Sequence, residues 1–327
     1  MPLYDLSGDE LRSYAPELRA PVDLEEFWTT TLAASRALTE PAAFAEIDSG
    51  LSLVDTFDAS FSGFGGQRVK AWLHLPAKTD HPVPVVVNYA GYGGGRGLPH
   101  EVAIWALAGW ASFSIDLRGQ GAAGLHGTTG DAAGGGASYP GFMTRGVQDP
   151  RQYYYRRLYV DAVLAIDAVR AHDLVDPARV TVAGGSQGGG LAIAAAALEP
   201  NVWAALVDIP FLCHFRRAVE VATAGPYLEI VKYLAVHRDE AGTVFSTLAY
   251  FDAAVLARLA RAPALFSVAL MDQTCPPSTV FAAYNNYGGR KEIIEYPFND
   301  HEGGQGFQQA AQLHWLSTYA RTQGPEP

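Results

Sequence analysis

Residues 184–188 read Gly-Gly-Ser-Gln-Gly and place Ser186 between glycines. An apolar run typical of a strand precedes this serine, and an alanine-rich run typical of a helix follows it. A G-x-S-x-G pattern in that context is typical of a nucleophile elbow, a strained turn that exposes a serine hydroxyl above a sheet. Glycines are needed there because flanking side chains would clash. The pattern predicts that Ser186 is a nucleophile and that the backbone N–H of Gln187 faces an oxyanion.

The pentapeptide alone is a weak signal, because the chain contains 34 glycines. A glycine-rich phosphate loop is the alternative interpretation of residues 184–190. That segment lacks the Lys-Ser/Thr pair of a P-loop, and no G-x-G-x-x-G register fits it. The strand before the motif and the helix after it favour the nucleophile elbow.

A serine hydroxyl is a poor nucleophile unless a neutral histidine accepts its proton and a carboxylate orients that histidine. In the α/β-hydrolase chain order, both partners follow the serine. His301 lies in PFNDHEGGQG, directly after the last predicted strand. His314 lies in a predicted helix, and His214 and His237 lie in a helical insertion. The placement predicts His301 as the base.

Three aspartates compete for the role of the acid. Asp272 ends ALFSVALMD, the most apolar predicted strand, and Asp208 ends the strand before it. A carboxylate at a strand end can also cap the next helix, so Asp208 stays an alternative. Asp300 adjoins His301 and would have to fold back on its own neighbour. The strength of its apolar strand, and the turn over Gln273–Pro277 that follows it, favour Asp272.

A second oxyanion donor is expected from the loop after an early parallel strand. VVVNYAGYGGGRG, residues 85–97, has this form, and the backbone N–H of Tyr92 is the predicted donor. The glycines at 93–95 allow a backbone to approach a bound acyl group. They are explained equally well by a flexible turn.

The elements that must position these residues follow from continuous apolar runs. Such runs are typical of strands buried on both faces, and helical stretches lie between them, which predicts a mostly parallel sheet with helices on both faces. The predicted fold class is α/β, with an eight-stranded sheet. Its strands are residues 52–61, 67–75, 85–92, 111–116, 179–185, 204–209, 263–272 and 290–297, of which the first two form a hairpin.

One α/β domain is expected to span residues 1–327. Residues 1–50 are predicted to be a helical extension, with a helix that begins at Asp23, and residues 211–259 a helical insertion or cap. Residues 121–141 form a Gly/Ala-rich loop that is too long for a plain connection and is therefore a candidate functional loop.

Composition excludes several classes. A net charge of −11 and a pI near 5.2 argue against a nucleic-acid partner. No apolar stretch approaches the ~18 residues of a membrane helix, and no signal peptide is recognised, so we expect a cytoplasmic protein without a membrane partner. Cys213 and Cys275 lack metal-site spacing, so we expect two reduced structural thiols and no bound metal.

Three motifs together resemble the signature of the acetyl xylan esterase/cephalosporin C deacetylase family, carbohydrate esterase family seven. They are Arg118-Gly119-Gln120, the glycine-rich run 184–189, and His301-Glu302. The likeness extends through FSGFGGQRVKAWL, AGYGGGRGLPH, YPGFMTRGVQDPRQYYYRR, DIPFLCHFRRAVE and ALMDQTCPPSTVFAAYNNYGG. It is weakest in the loop 127–139.

The resemblance implies an α/β-hydrolase fold and the removal of acetyl groups from short acetylated xylo-oligosaccharides and from the antibiotic cephalosporin C. No cofactor is implied. Members form a doughnut-shaped homo-hexamer whose active sites face an internal chamber. A peptidase or lipase on the same fold stays an alternative, and so does a non-catalytic ligand-binding homologue, which would typically have lost one of the three catalytic residues.

The resemblance also implies roles for individual residues. It assigns a catalytic triad to Ser186, Asp272 and His301, with backbone oxyanion donors at Tyr92 and Gln187. A further set supports the motifs or lines the acyl pocket. Arg118, Gln120 and Glu302 belong to the supporting motifs, and Trp105, Phe211 and Pro226 are expected to line the pocket.

Overall fold

The computed structural model describes residues 4–322. Within them, nine strands form one sheet in the order β1-β2-β3-β5-β4-β6-β7-β8-β9. The strands are β1 (Ala43–Ile47), β2 (Val54–Ser62), β3 (Arg68–Pro76), β4 (Val83–Tyr89), β5 (Ala111–Ile115), β6 (Val175–Gly185), β7 (Ala204–Asp208), β8 (Ala264–Ala269) and β9 (Lys291–Tyr296). Strands β1, β2, β3 and β5 pair antiparallel, and all pairs from β5 to β9 are parallel.

Eleven α-helices accompany the sheet in the same part of the chain. They are α1 (Gly8–Arg12), α2 (Leu24–Arg36), α3 (Ile104–Leu107), α4 (Tyr154–Arg170), α5 (Gln187–Leu198), α6 (Phe215–Val221), α7 (Tyr227–Val236), α8 (Ala241–Leu248), α9 (Ala253–Leu256), α10 (Pro277–Asn286) and α11 (Gln305–Thr322). Helix α2 begins directly after Asp23, as predicted. Helices α6 to α9 all lie within residues 211–259, between β7 and β8.

The predicted fold class is confirmed, and the sheet has nine strands rather than eight. The missed strand is β1, which lies within the segment predicted to be a helical extension. It is an edge strand that pairs only with β2, and its five residues are exposed or half-buried. Such a strand carries little hydrophobic alternation, which is the signal that sequence analysis depends on.

Helices cover both faces of the sheet because side chains alternate along each strand. Val85 and Val87 of β4 belong to the core against α4 and α5, whereas Val86 belongs to a second core on the opposite face. That second core includes Trp105 of α3 and Leu316 of α11. The carboxyl ends of β4, β6, β7 and β8 meet at one edge of the sheet, where the site residues lie.

The Gly/Ala-rich loop 121–141 is fixed by buried carboxylates. Asp116, which follows β5, accepts hydrogen bonds from the backbone N–H groups of Thr128 and Thr129, both at 2.9 Å. Asp131 in the loop pairs with Arg157 of α4 at 2.7 Å. The loop is therefore held against the sheet and α4 rather than projecting from them.

The two cysteines, Cys213 and Cys275, are buried and are not joined to each other by a disulfide. No α-helix between residues 4 and 322 is both long and apolar enough to cross a bilayer.

Candidate active site

Ser186 stands between β6 and α5 in a left-handed backbone conformation, with φ +55° and ψ −120°. This region is rarely occupied by residues other than glycine, and such strain is typical of functional sites. Neighbouring backbone groups hold the turn. The Ser186 N–H donates to the Asp208 carbonyl at 2.9 Å. The Ser186 carbonyl accepts from the N–H of Gly190 at 3.1 Å and from that of Phe211 at 2.9 Å.

The glycines around Ser186 are required because backbone atoms crowd this turn. A Cβ atom on Gly188 would lie 2.0 Å from the Tyr89 carbonyl oxygen, and one on Gly184 would lie 2.4 Å from the Gly188 carbonyl carbon. Both contacts are with backbone atoms, which cannot rotate away. The start of α5 therefore passes directly against the ends of β4 and β6, and only glycine fits there.

The substitution Gly188→Ala is expected to lower the free energy of unfolding by about 3 kcal/mol or more, because the methyl group forces two backbone segments apart. Urea denaturation followed by circular dichroism measures this change. Gly242→Ala is the matched control, because Gly242 lies in α8 with no atom within 4 Å of an added Cβ. That variant is expected to gain up to about 1 kcal/mol. Equal urea midpoints for Gly188→Ala and Gly242→Ala would contradict the prediction that backbone atoms leave no room for a side chain at Gly188.

The structure brings the three predicted residues into one hydrogen-bonded chain. His301 Nε2 lies 3.0 Å from Ser186 Oγ, and His301 Nδ1 lies 2.8 Å from Asp272 Oδ2. The Asp272 side chain is fully buried, whereas that of His301 is about one-third exposed. With the proton on Nδ1, Nε2 is free to accept the Ser186 proton. The arrangement can activate a serine for attack on a carbonyl carbon.

The Asp272 carboxylate is oriented by the turn that follows it. Its Oδ1 accepts hydrogen bonds from the backbone N–H groups of Thr274 and Cys275, both at 2.8 Å. Oδ2 is left to face His301. Burial, together with the nearby Asp272 carboxylate, raises the pKa of the Cys275 thiol well above its ordinary value, so the thiol is a neutral group next to the acid.

The competing carboxylates have other partners. The Asp208 carboxylate accepts hydrogen bonds from Gln308 at 2.7 Å and Gln312 at 2.6 Å, both on α11. Burial raises the pKa of Asp208 to about 6. Asp300 accepts a hydrogen bond from the backbone N–H of Gln273 at 3.3 Å. Asp208 thus supports the elbow through its carbonyl, while its side chain contacts α11.

The competing histidines lie elsewhere. His214 pairs with the Tyr14 hydroxyl at 3.2 Å, and His237 stacks on Tyr233. His314 lies on α11, in a groove beside β8 and β9. Of the four histidines that follow Ser186, His301 is the one that contacts its hydroxyl.

Gln120 joins the two segments that carry the predicted oxyanion donors, namely the loop after β4 and the start of α5. Gln187 is the first residue of α5, so its N–H belongs to the helix terminus that has no partner within the helix. The Gln187 side chain accepts from Gln120 at 3.0 Å and from Tyr155 at 2.8 Å. Gln120 also accepts from the backbone N–H of Gly93, next to Tyr92, at 2.6 Å. The buried side-chain amide of Gln120 therefore links the loop after β4 to the start of α5.

The Tyr92 side chain is anchored from the other direction. Its hydroxyl donates to the Glu229 carboxylate of α7 at 2.8 Å and accepts from the Phe142 N–H at 2.8 Å. Burial, together with Glu229, raises the pKa of Tyr92, so the hydroxyl stays protonated as a donor. Sequence analysis missed Glu229 and Tyr155, because one acid in a helix and one aromatic at a core position carry no functional signal.

Arg118 and Glu302 differ in their surroundings. Arg118 is 1% exposed and pairs with Asp161 of α4, with nitrogen–oxygen distances of 2.5 and 2.6 Å. It therefore ties the loop after β5 to α4. Glu302 is exposed and bonds Asn299 within its own loop.

The predicted pocket residues separate into two groups. Phe211 is fully buried, its ring lies 6.1 Å from that of Tyr92, and its N–H contacts Ser186. Pro226 ends the 223–226 loop, whose Gly225 packs against Thr274 of the Asp272 turn. Both stay candidates for the pocket.

Trp105 is not placed as expected. It packs on the α11 face of the sheet, where its indole N–H donates to Asn88 at 3.0 Å. It lines a groove with Gln309 and Gln312, and this groove contains none of the three residues of the hydrogen-bonded chain. The expectation that Trp105 lines the acyl pocket is therefore corrected.

One cluster of metal-ligating side chains occurs within residues 4–322, namely Asp272, Cys275 and His301, whose donor atoms lie within 4.8 Å of one another. Asp272 and His301 already bond each other, and His301 bonds Ser186. The cluster is thus accounted for by the hydrogen-bonded chain.

The sequence matches the acetyl xylan esterase (AXE1) family model over residues 1–319. The chain belongs to the acetyl xylan esterase family. A curated relative, acetyl esterase Axe7A of Xylanibacter ruminicola, is 31% identical over 162 residues. That match covers 49% of this chain and 36% of the relative, so the chain spans about a third of the length of that protein.

Solved structures of the acetyl xylan esterase family match over nearly the whole chain. The acetyl xylan esterase from Paenibacillus sp. R4 is 39% identical with a TM-score of 0.89, covering 96% of this chain and 99% of that one. Acetyl xylan esterase 1 from Thermoanaerobacterium sp. is 33% identical with a TM-score of 0.87, covering 97% and 100%. An acylaminoacyl peptidase from Pyrococcus horikoshii, 13% identical with a TM-score of 0.60 over 86% of this chain and 44% of that one, shares the α/β-hydrolase fold alone.

Proposed function

We propose that this member of the acetyl xylan esterase family is a serine esterase that removes acetyl groups from acetylated xylo-oligosaccharides and from small acetyl esters such as cephalosporin C. The observation that carries the proposal is the hydrogen-bonded chain from Ser186 through His301 to Asp272, built on a strained elbow. Family membership and two solved relatives named acetyl xylan esterases support the substrate class.

The reaction would proceed through an acyl-enzyme. His301 Nε2 accepts the Ser186 proton as Oγ attacks the acetyl carbonyl carbon, and the backbone N–H groups of Gln187 and Tyr92 stabilise the resulting oxyanion. The carbon–oxygen bond to the sugar then breaks, and the alcohol leaves with the proton from His301. Acetyl-Ser186 remains.

The second half repeats the chemistry with water. His301 removes a proton from a water molecule, whose oxygen attacks the acetyl carbon of the acyl-enzyme. The bond between Ser186 Oγ and the acetyl carbon breaks, acetic acid leaves, and Ser186 Oγ takes the proton back from His301. One ester and one water thus become one alcohol and one acetic acid, without a metal or a redox group in any step.

A series of p-nitrophenyl esters from acetate to octanoate tests the acyl preference. We expect kcat/KM to be highest for acetate and to fall about tenfold or more by butyrate, because a pocket that fits a methyl group rejects added methylenes. Acetate release is then measured with acetylated xylo-oligosaccharides and with cephalosporin C. The ratio of the two kcat/KM values gives the preference for the leaving alcohol.

Each other result of that experiment would overturn part of the proposal. A preference for octanoate would assign a lipase-type pocket on the same fold. Faster cleavage of an acetylated amino-acid anilide than of the esters would assign a peptidase. Absence of hydrolysis by a protein with a native circular dichroism spectrum would indicate a non-catalytic binding protein.

Two further sequence expectations stay predictions. Location in the cytoplasm and assembly into a homo-hexamer rest on composition and family resemblance, respectively. Size-exclusion chromatography with light scattering tests the second directly, with a hexamer expected near six times the chain mass of 35.0 kDa.

A further inference from the structure

The segment before α1 lies against the turn that carries Asp272. This turn, residues 272–278, joins β8 to α10 and is called the acid turn below. The Tyr4 hydroxyl donates to the Asp272 carbonyl at 2.5 Å. The Asp5 carboxylate accepts from the Ser278 N–H at 2.7 Å. Two adjacent residues, about 270 positions away in the sequence, therefore contact the first and the last residue of the acid turn.

The Asp5 contact is built as a buried ionic site. The Asp5 side chain is 1% exposed and pairs with Arg217 of α6 at 2.7 Å. Arg217 in turn donates to the Ser278 hydroxyl at 3.1 Å. A buried carboxylate is costly unless it is paired and hydrogen-bonded, and these donors satisfy it. Ser278 lies in the first turn of α10, where a negative charge is also favoured by the helix dipole.

The Tyr4 contact is equally specific. Burial raises the pKa of Tyr4, and the neighbouring Asp5 and Asp272 carboxylates add to the shift, which favours the protonated hydroxyl as a donor. Its acceptor is the carbonyl of Asp272 itself. The contact therefore fixes the main chain of the residue whose side chain faces His301.

The acid turn decides where the Asp272 carboxylate points. Thr274 and Cys275 hold Oδ1 through their backbone N–H groups, and Oδ2 faces His301 Nδ1 at 2.8 Å. The middle of the turn is held from the other side, since the Gln273 carbonyl accepts from the N–H groups at 223 and 224, both at 3.2 Å. Tyr4 and Asp5 supply the contacts at its two ends.

We propose that Tyr4 and Asp5 are positioning residues that clamp the acid turn and thereby align the Asp272 carboxylate with His301. This inference rests on the proposed esterase function. Because the 223–224 contacts with the turn persist without the clamp, its loss is expected to misalign the carboxylate partly rather than remove it.

Tyr4→Phe and Asp5→Asn test the clamp. For each variant we expect kcat for p-nitrophenyl acetate to fall about three- to tenfold with KM within twofold of wild type, because an interaction that acts mainly on the transition state lowers kcat. Asp9→Asn is the matched control in the same segment: the Asp9 side chain is fully exposed and contacts Arg12 at the surface. The thermal midpoint of each variant is measured separately, and the assays are run at 25 °C, so that a loss of rate is not caused by unfolding.

A double-mutant cycle separates positioning from plain structural support. Once Asp272→Asn has removed the carboxylate, Tyr4→Phe is expected to change kcat by less than about twofold, because there is nothing left to align. Equal losses in both backgrounds would overturn the proposal, and so would variants that lower the thermal midpoint or raise KM while kcat stays unchanged. A wild-type protein without esterase activity would instead refute the proposed function.

Discussion

Replacing Ser186 by alanine is expected to lower kcat for acetyl ester hydrolysis by about 10⁶, the loss typical of serine hydrolases that lose a triad serine. The physical reason is that neither neighbouring group replaces the hydroxyl: burial keeps the Cys275 thiol neutral, and the imidazole of His301 is a poor nucleophile toward an unactivated sugar ester. In free energy the loss corresponds to about 8 kcal/mol of transition-state stabilisation.

The substitution Ser186→Ala is expected to remove the hydroxyl without changing the backbone of the elbow. Alanine adopts the φ of +55° with no more strain than serine does, so the elbow is retained. Acetate release from an acetylated sugar is the stricter assay, because the activated p-nitrophenyl ester also reacts with exposed imidazoles. Ser246→Ala is the control, since the Ser246 hydroxyl bonds a carbonyl within α8 at an exposed position. Residual activity above about one per cent in Ser186→Ala, where a loss of about 10⁶ is expected, would place the nucleophile elsewhere.

Chain order and strand ends together point to the residues of the hydrogen-bonded chain, with Asp208 left open as an alternative acid. Apolar runs mark most of the parallel strands, and a polar residue just after a parallel strand must lie at the carboxyl edge of the sheet. Ser186, Asp272 and His301 each follow a strand in this way, which is why a linear pattern places them together. The edge strand β1 has no such run and was missed.

Other parts of the site have no local pattern. Glu229 meets Tyr92 across 137 positions, and Tyr4 meets Asp272 across 268. Each is a single polar residue whose significance depends on a distant partner, so spacing cannot identify it. Trp105 was misplaced for a related reason, because a short helix such as α3 does not reveal from its sequence which face of the sheet it covers.

The polar groups behind the site share a physical purpose. Gln120 and Gln187 bond each other, and the Tyr155 hydroxyl donates to Gln187. Burial raises the pKa of Tyr155 well above the ordinary value, so it remains a donor. Because each group is already paired, the segments that carry the proposed oxyanion donors would not need to reorganise when charge develops on a substrate, which is the condition for electrostatic preorganisation.

Replacing Asp272 by asparagine is expected to lower kcat by about 10⁴, through the wrong histidine tautomer rather than through lost structure. The N–H groups of Thr274 and Cys275 both point at Oδ1, so the asparagine oxygen must take that position. Its NH₂ group then faces His301 Nδ1 and donates to it. The histidine proton moves to Nε2, which points at Ser186 and can no longer accept the serine proton.

Asp208→Asn is the matched control, because Asp208 also ends a strand next to the elbow and was the alternative acid. Its carboxylate contacts Gln308 and Gln312 instead of a histidine, and the carbonyl that supports Ser186 is unchanged by the substitution. We expect kcat within about tenfold of wild type for this variant, against about 10⁴ for Asp272→Asn. A larger loss of kcat in Asp208→Asn than in Asp272→Asn would instead assign the role of the catalytic acid to Asp208. Since both variants remove one buried negative charge beside the same sheet edge, the difference between them isolates the contact with His301 from the loss of charge.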